Sequence, residues 1–360
     1  MIIGLPKEIK NNEFRVGMLP WMVSELRAQG HIVLVETNAG LGAGYTDQDY
    51  ETAGAEICAT AQELWSGSNL IIKVKEPISA EYPLIKKDHI LFTYLHLAAS
   101  KECTQALLDS GATAYAYETL SVNNTLPLLA PMSEIAGKLA VQMGAHYLLA
   151  PFGGNGTLMS GVAGVAPAKV LILGAGEVGL GAIAIAEGMR SEVVVLDIDL
   201  TKLANVTHLY RGRVKTLVSN KENLEKELYN SDVVIGGVLL PGAKAPKLIT
   251  LDMVAKMKPG SVLVDVAIDQ GGCFEGSYPT THQDPVFKVY NSTYYSVANM
   301  PGSAPVTATK ALTNATFKYI KLLANTPTDE VLRTYPELAS ALNIHQGQIT
   351  NPKVLSAFNS

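Results

Sequence analysis

The sequence predicts an α/β protein with two doubly wound, parallel-sheet units, joined by long helices and with a cleft between them. Three observations predict it. Strand-like apolar runs alternate with segments of helical period through most of the chain. The runs are near-continuously apolar and do not alternate with polar residues, as expected of strands covered on both faces. The rhythm breaks once, around residue 130, and restarts after residue 168. A length of 360 residues exceeds what one core usually supports and suits two units of roughly 150 residues each.

The elements follow in order. Met1-Ile-Ile-Gly-Leu-Pro-Lys7 lacks a basic leader and a cleavage site, so it reads as a first strand and not a signal peptide. His31–Val35, Leu70–Val74, Ile90–Leu95 and Ala112–Tyr117 read as further strands, with helices over Trp21–Gln29 and Lys101–Leu108 between them. Gly40-Leu-Gly-Ala-Gly44 has neither G-x-x-G spacing nor an apolar helix after it, and reads as an ordinary loop. Pro131–Leu149 has helical spacing and a proline suited to a first turn, and is long enough to act as a strut at a boundary. Phe152-Gly-Gly-Asn-Gly156 then breaks the pattern. Lys169–Leu173, Val193–Leu196, Val233–Ile235 and Val262–Val264 are the strands of a second unit. Beyond Val297–Met300, Val306–Asn325 reads as one long helix and Thr328–Leu342 as another, returning to the first unit. The expected domains are therefore 1–129 with 305–360, and 130–304.

Composition excludes several classes. With 48% hydrophobic and 17% charged residues the chain is lean in surface charge, which points to a homo-oligomer. A net charge of −5 without a Lys/Arg cluster argues against nucleic acid as a partner. No apolar stretch reaches the roughly 18 residues of a membrane span. Cys58, Cys103 and Cys273 are odd in number and far apart, against a disulfide scaffold or structural zinc and in keeping with a cytoplasmic protein.

The sharpest motif is Gly174-Ala-Gly-Glu-Val-Gly179, a G-x-G-x-x-G that directly follows an apolar strand and opens a helix. Gly174 suits a tight turn, Gly176 lets backbone approach a pyrophosphate, and Gly179 allows close helix–strand packing at a helix N-terminus that favours anions. Asp197 closes the next strand about 20 residues on, where a carboxylate holds a ribose 2′-hydroxyl and repels a 2′-phosphate. This Rossmann-like fingerprint predicts NAD as the cofactor, in preference to NADP.

Arg15, Lys75 and His96 sit where strands of the first unit end. Cations there suit a small carboxylate substrate, and an imidazole suits proton transfer near neutral pH. Each has a structural alternative: a buried core histidine, or a surface pair of Lys75 with Glu76. In Val262-Leu-Val-Asp-Val-Ala-Ile-Asp-Gln-Gly-Gly-Cys-Phe-Glu275, Asp265 reads as a hydrogen-bonded residue inside the strand and Asp269 as the residue that closes it at the crevice. Cys273 and Glu275 carry no catalytic expectation.

Nine strings in matching order carry a resemblance over residues 1 to about 320: KEIKNNEFRV from Lys7, KVKEP from Lys73, LFTYLHLAAS from Leu91, YETL with LPLLAPMSE from Tyr117, GAGEVG, VLLPGAKAPKL from Val238, DVAIDQGGCFEGSYPTT from Asp265, VANMPGSAP and ALTNAT. Together they resemble the L-alanine dehydrogenase family, related to the alpha subunit of nicotinamide nucleotide transhydrogenase. The resemblance implies NAD-dependent oxidative deamination of L-alanine to pyruvate and ammonium, the reverse amination, and a homohexamer. It implies that Arg15 and Lys75 bind substrate, that His96 is the proton donor and acceptor, and that Asp269 orients the amino group or attacking water. Around NAD it implies Ser133, Gly174, Gly176, Val178, Gly179, Asp197, Lys202, Ser219, Val238, Leu239, Val266, Ala267, Ile268, Asp269, Val297, Ala298, Asn299 and Met300; for Ser133 the alternative is an N-terminal helix cap.

There are departures from the family pattern. Tyr278 stands where a cofactor-contacting arginine is usual, Asn155 replaces the arginine of a Gly-Gly-Arg-Gly loop, and Leu322 and Thr326 replace a metal-binding Glu and His, so no metal is expected. Two other readings remain: an amino-acid or imine oxidoreductase of different specificity, and a transhydrogenase-like NAD(H)-binding subunit.

Overall fold

A computed structural model describes residues 1–238 and 245–358 of the chain. The chain divides into two compact units, Met1–Met132 with Gly302–Ser360, and Ser133–Pro301. It passes from one to the other in the first turn of the helix Ala130–Leu148, and again in the 3-10 turn Met300–Ser303.

The first unit holds β1 (Ile2–Leu5), β2 (Ile32–Glu36), β3 (Glu56–Cys58), β4 (Leu70–Ile72), β5 (Ile90–Thr93) and β6 (Thr113–Ala116). These six strands are parallel and lie in the order β6-β5-β4-β1-β2-β3. The second unit holds β7 (Lys169–Leu173), β8 (Glu192–Asp197), β9 (Lys215–Val218), β10 (Val233–Gly236), β11 (Val262–Asp265), β12 (Val286–Val289) and β13 (Ser292–Tyr295). Their order is β12-β13-β11-β10-β7-β8-β9, parallel except for β12. Finally β14 (Leu342–His345) and β15 (Gln348–Ile349) add an antiparallel edge beside β6.

Both sheets are the parallel, doubly wound kind that the apolar runs predict. The cause shows in β7, where Val170 and Ile172 enter one core and Leu171 and Leu173 the other. Fully burying such a side chain stabilises the fold by about 1.5–3 kcal/mol, so a polar residue on either face would be costly. Each sheet reverses its winding beside its first strand: β1 lies between β4 and β2, and β7 between β10 and β8. The carboxyl ends of strands at such a reversal form a natural ligand crevice.

Within the second unit the helices Ala130–Leu148 and Glu177–Gly188 meet backbone to backbone. A Cβ on Gly137 would lie 2.0 Å from the Val178 carbonyl oxygen, and one on Gly181 would lie 2.5 Å from that of Glu134. The glycines here permit a close approach that seats the start of the second helix against the sheet.

Two expectations are corrected. Thr328–Leu342 is not one helix: it is Thr328–Thr334 and Pro336–Ala341, broken at Tyr335, because Pro336 excludes a helical residue before it and donates no hydrogen bond. Strand β11 stops at Asp265, so Asp269 lies in a 3-10 turn, Val266–Gln270, and does not close the strand. Among the described residues, no helix is long and apolar enough to cross a membrane.

Candidate active site

In the first unit, four neighbouring strands, β1, β4, β5 and β6, deliver polar side chains at their carboxyl ends. After β1 comes Glu8 and after β4 comes Lys73, both buried. Lys73 Nζ donates to Glu8 at 3.1 Å and pairs with Glu81 at 2.7 Å. Burial alone would lower the Lys73 pKa, but the two carboxylates more than offset this and hold it above its ordinary value. Glu8 also accepts the backbone N–H groups of Val74, at 2.6 Å, and Lys75, at 3.3 Å. The Lys75 carbonyl in turn accepts the Thr93 hydroxyl at 2.9 Å. The half-buried Lys75 thus stands on a backbone fixed from both sides, and Glu76 pairs with Lys10.

Arg15 is 2% exposed. Its Nε donates to one Glu13 oxygen at 2.7 Å and an Nη to the other at 2.5 Å, a bidentate pair that fixes the guanidinium plane. Burial opposes the charge, yet Glu13 outweighs it and raises the Arg15 pKa. The other Nη lies 3.1 Å from the Met132 sulfur.

His96 follows β5 and is not the buried core histidine of the alternative reading: its side chain is 42% exposed. Its ring lies parallel to that of Tyr94, with centroids 5.9 Å apart, and Tyr94 is anchored by donating to the Leu128 carbonyl at 2.5 Å. The His96 backbone is left-handed, φ 47° and ψ 37°, which costs about 1–2 kcal/mol for a residue with a Cβ. Glu118, just past β6, offsets that strain by accepting the N–H groups of Leu95, at 3.2 Å, and His96, at 2.6 Å.

In the second unit many of the expected cofactor residues lie at or just past the carboxyl ends of adjacent strands. Gly174 follows β7 with φ 99°, open to glycine alone at little cost, and donates its N–H to Leu196 at 2.7 Å. A Cβ on Gly176, the N-cap of the helix Glu177–Gly188, would meet nothing within 4 Å. That empty space at a helix N-terminus is where a pyrophosphate fits. A Cβ on Gly179 would lie 1.9 Å from the Gly174 carbonyl oxygen, so the third glycine is fixed by packing, with the buried Val178 before it.

Asp197 ends β8 and is 9% exposed. It accepts the N–H groups of Ala175 at 2.6 Å and Asp199 at 2.8 Å, tying the glycine turn to the neighbouring strand and leaving further lone pairs for a diol. Ser219, after β9, donates its N–H to the Asp197 carbonyl at 2.9 Å. Val238 follows β10, Val266–Gln270 follows β11, and Val297, Ala298, Asn299 and Met300 follow β13. Asn299 has φ 59°. Ala267 is half-buried, Ile268 buried and Asp269 exposed. Lys202 is exposed in the first turn of the helix Leu200–Tyr210. Ser133 is the fourth residue of its helix, inside the first turn and so not its N-cap. Leu239 lies outside the described residues.

The two aspartates of Val262–Glu275 separate clearly. Asp265 is buried and accepts the N–H groups of Cys273, at 3.2 Å, and Phe274, at 3.3 Å; burial pushes its carboxyl pKa up. Burial likewise pushes the Cys273 thiol well above its ordinary value, and Glu275 caps a neighbouring backbone by accepting the Leu251 N–H at 2.8 Å. Three residues that sequence reasoning missed are Glu8, Glu13 and Glu118. Glu8 and Glu118 left a faint signal, as carboxylates just past apolar strands.

The family model for the alanine dehydrogenase/PNT N-terminal domain matches residues 4–136, and that for the C-terminal domain matches residues 140–352. The chain is 51% identical to an alanine dehydrogenase of Mycolicibacterium smegmatis over 98% of this chain and 96% of that one. It is 52% identical to one of Mycobacterium tuberculosis, with the same coverage of both chains. A solved L-alanine dehydrogenase superposes with a TM-score of 0.96 at 48% identity, covering 100% of this chain and 99% of that one. A transhydrogenase from Sinorhizobium meliloti gives a TM-score of 0.82 at 27% identity, covering 98% of this chain and 99% of that one. Matched in both halves and along nearly its whole length, the chain belongs to the alanine dehydrogenase/PNT family.

Proposed function

We propose that this protein catalyses the NAD-dependent oxidative deamination of L-alanine to pyruvate and ammonium, and the reverse reductive amination. The observation that carries this reading is 51% identity over 98% of the chain to an alanine dehydrogenase, against 27% to the transhydrogenase. Residues 1–129 with 305–360 would form the substrate domain and 130–304 the cofactor domain. The protein would be cytoplasmic and assemble as a homohexamer.

The side chains take the following parts. Arg15, held rigid by Glu13, and Lys75, held by the Glu8 network, bind the carboxylate of alanine and polarise the developing carbonyl oxygen. The glycine turn 174–179 and Asp197 hold NAD, with Ser133, Lys202, Ser219, Val238, Leu239, Val266–Asp269 and Val297–Met300 around it. Bound NAD supplies the acceptor for the hydride of the substrate Cα. The imine left behind takes up water, and His96 receives the proton the water gives up. The carbinolamine then collapses as His96 returns that proton to the departing nitrogen, and the hydroxyl loses its own proton to the released ammonia as the carbonyl forms, giving pyruvate and ammonium. Asp269, exposed on its 3-10 turn, orients the amino group or the attacking water.

The test is the initial rate of NADH formation with alanine, serine, glycine and 2-aminobutyrate, each with NAD and with NADP. Alanine with NAD should be fastest, and best activity on another amino acid refutes the specificity. His96→Ala should abolish turnover while NAD still binds; a near-normal kcat refutes the proton role.

A further inference from the structure

His96 is exposed, yet its backbone is held in a left-handed turn. Its φ of 47° puts a Cβ-bearing residue in the left-handed region, which persists only where neighbours impose it. Two successive N–H groups, from Leu95 and His96, converge there on one carboxylate, that of Glu118. This is an anion-binding concavity filled from within the protein. The carboxylate reaches it because β5 and β6 pair in register, Thr93 beside Ala116, so that Glu118 emerges one strand over from His96. The same oxygen that accepts the His96 N–H lies 4.0 Å from the His96 Nδ1. The Tyr94 ring lies parallel to the imidazole, with centroids 5.9 Å apart, and is anchored to Leu128.

We propose that Glu118 is a positioning residue of the proton relay: its carboxylate clamps the left-handed turn that aims His96, beside the parallel ring of Tyr94. The inference rests on the role assigned to His96 and deepens it. Glu118 transfers no proton to substrate. Its effect is on how often the imidazole stands in productive geometry, so it acts on turnover and not on cofactor binding. An amide in its place keeps one oxygen that can accept the His96 N–H, whereas an alanine frees both N–H groups.

The experiment compares Glu118→Ala, Glu118→Gln and His96→Ala in the full chain, measuring kcat, the KM values for alanine and NAD, and the melting temperature. Glu118→Ala should lower kcat by about 100-fold, with the KM for NAD changed by less than about twofold. Glu118→Gln should recover activity to within about tenfold of the parent. A Glu118→Ala kcat within about threefold of the parent, while His96→Ala is inactive, overturns the inference and leaves the role of His96 intact. Equal losses in both Glu118 variants, with equally lowered melting temperatures, also overturn it, because the carboxylate then serves only the fold. Activity in His96→Ala instead sinks the underlying assignment of His96.

Discussion

Asp197 serves the turn and, in the proposed complex, the cofactor. Its carboxylate already accepts the N–H groups of Ala175 and Asp199, so it sets the position of the glycine turn before any ligand arrives. A hydrogen bond from a neutral donor to a charged group is worth about 1.5–3 kcal/mol, so Asp197→Ala should weaken NAD binding by at least roughly 10-fold. It should also narrow the preference for NAD over NADP, because the charge that repels a 2′-phosphate is gone. Equilibrium titration with both dinucleotides checks this; an unchanged ratio would count against the ribose contact. Asp197 was legible because strand, spacing and residue type agree within one short segment. The partners of the substrate-side residues were not. Glu8 lies 65 residues from Lys73, and Glu118 lies 22 from His96; each pair meets only because its strands are neighbours in the sheet. Strand order is not written in any local pattern. The contrast between Asp265 and Asp269 was legible in outline, since burial of the one and exposure of the other follow from the apolar run and the glycines after it.

Among the elements, the helix pair Ala130–Leu148 and Glu177–Gly188 leaves no space for a methyl group at its crossing. Gly137→Ala would bring a carbon to 2.0 Å from a carbonyl oxygen of rigid helical backbone, so the helices must part. Overpacking of this kind costs about 1–3 kcal/mol, which should lower the melting temperature by roughly 2–10 °C. Gly188→Ala is the matched control. A Cβ there meets nothing within 4 Å, so it should be neutral or stabilise by about 0.4–1 kcal/mol through the unfolded chain. Equal melting temperatures for the two variants would mean that the crossing yields easily. The strands were the most legible elements, since burial on both faces demands unbroken apolar runs. Helix ends were less so: the periodic pattern ran through Pro336, and only the backbone constraint of proline divides it. β14 and β15 escaped notice because a short antiparallel edge carries too few residues for a period to show.

At the scale of the whole molecule, the low share of charge noted in the sequence has a counterpart on the surface of the second unit. Between residues 149 and 165 stand five exposed large apolar side chains, those of Leu149, Phe152, Leu158, Val162 and Val165, the last two 62% and 63% exposed. Val162 and Val165 pair across a tight turn, each donating its N–H to the other's carbonyl, at 3.2 and 2.8 Å. A small hairpin that holds two valines out in solvent gains nothing from them in an isolated chain. If these residues are covered by further copies in the proposed hexamer, light scattering should give a mass six times that of the 38.4 kDa chain. The double substitution Val162→Glu, Val165→Glu should lower that mass, because carboxylates at an apolar interface lose hydration without gaining partners. The glycine turn and Asp197 lie outside the hairpin, so NAD binding measured on the dissociated protein should survive. A parent protein with the mass of one chain would remove the hexamer, and a variant that keeps the full mass would move the subunit contact elsewhere on the surface.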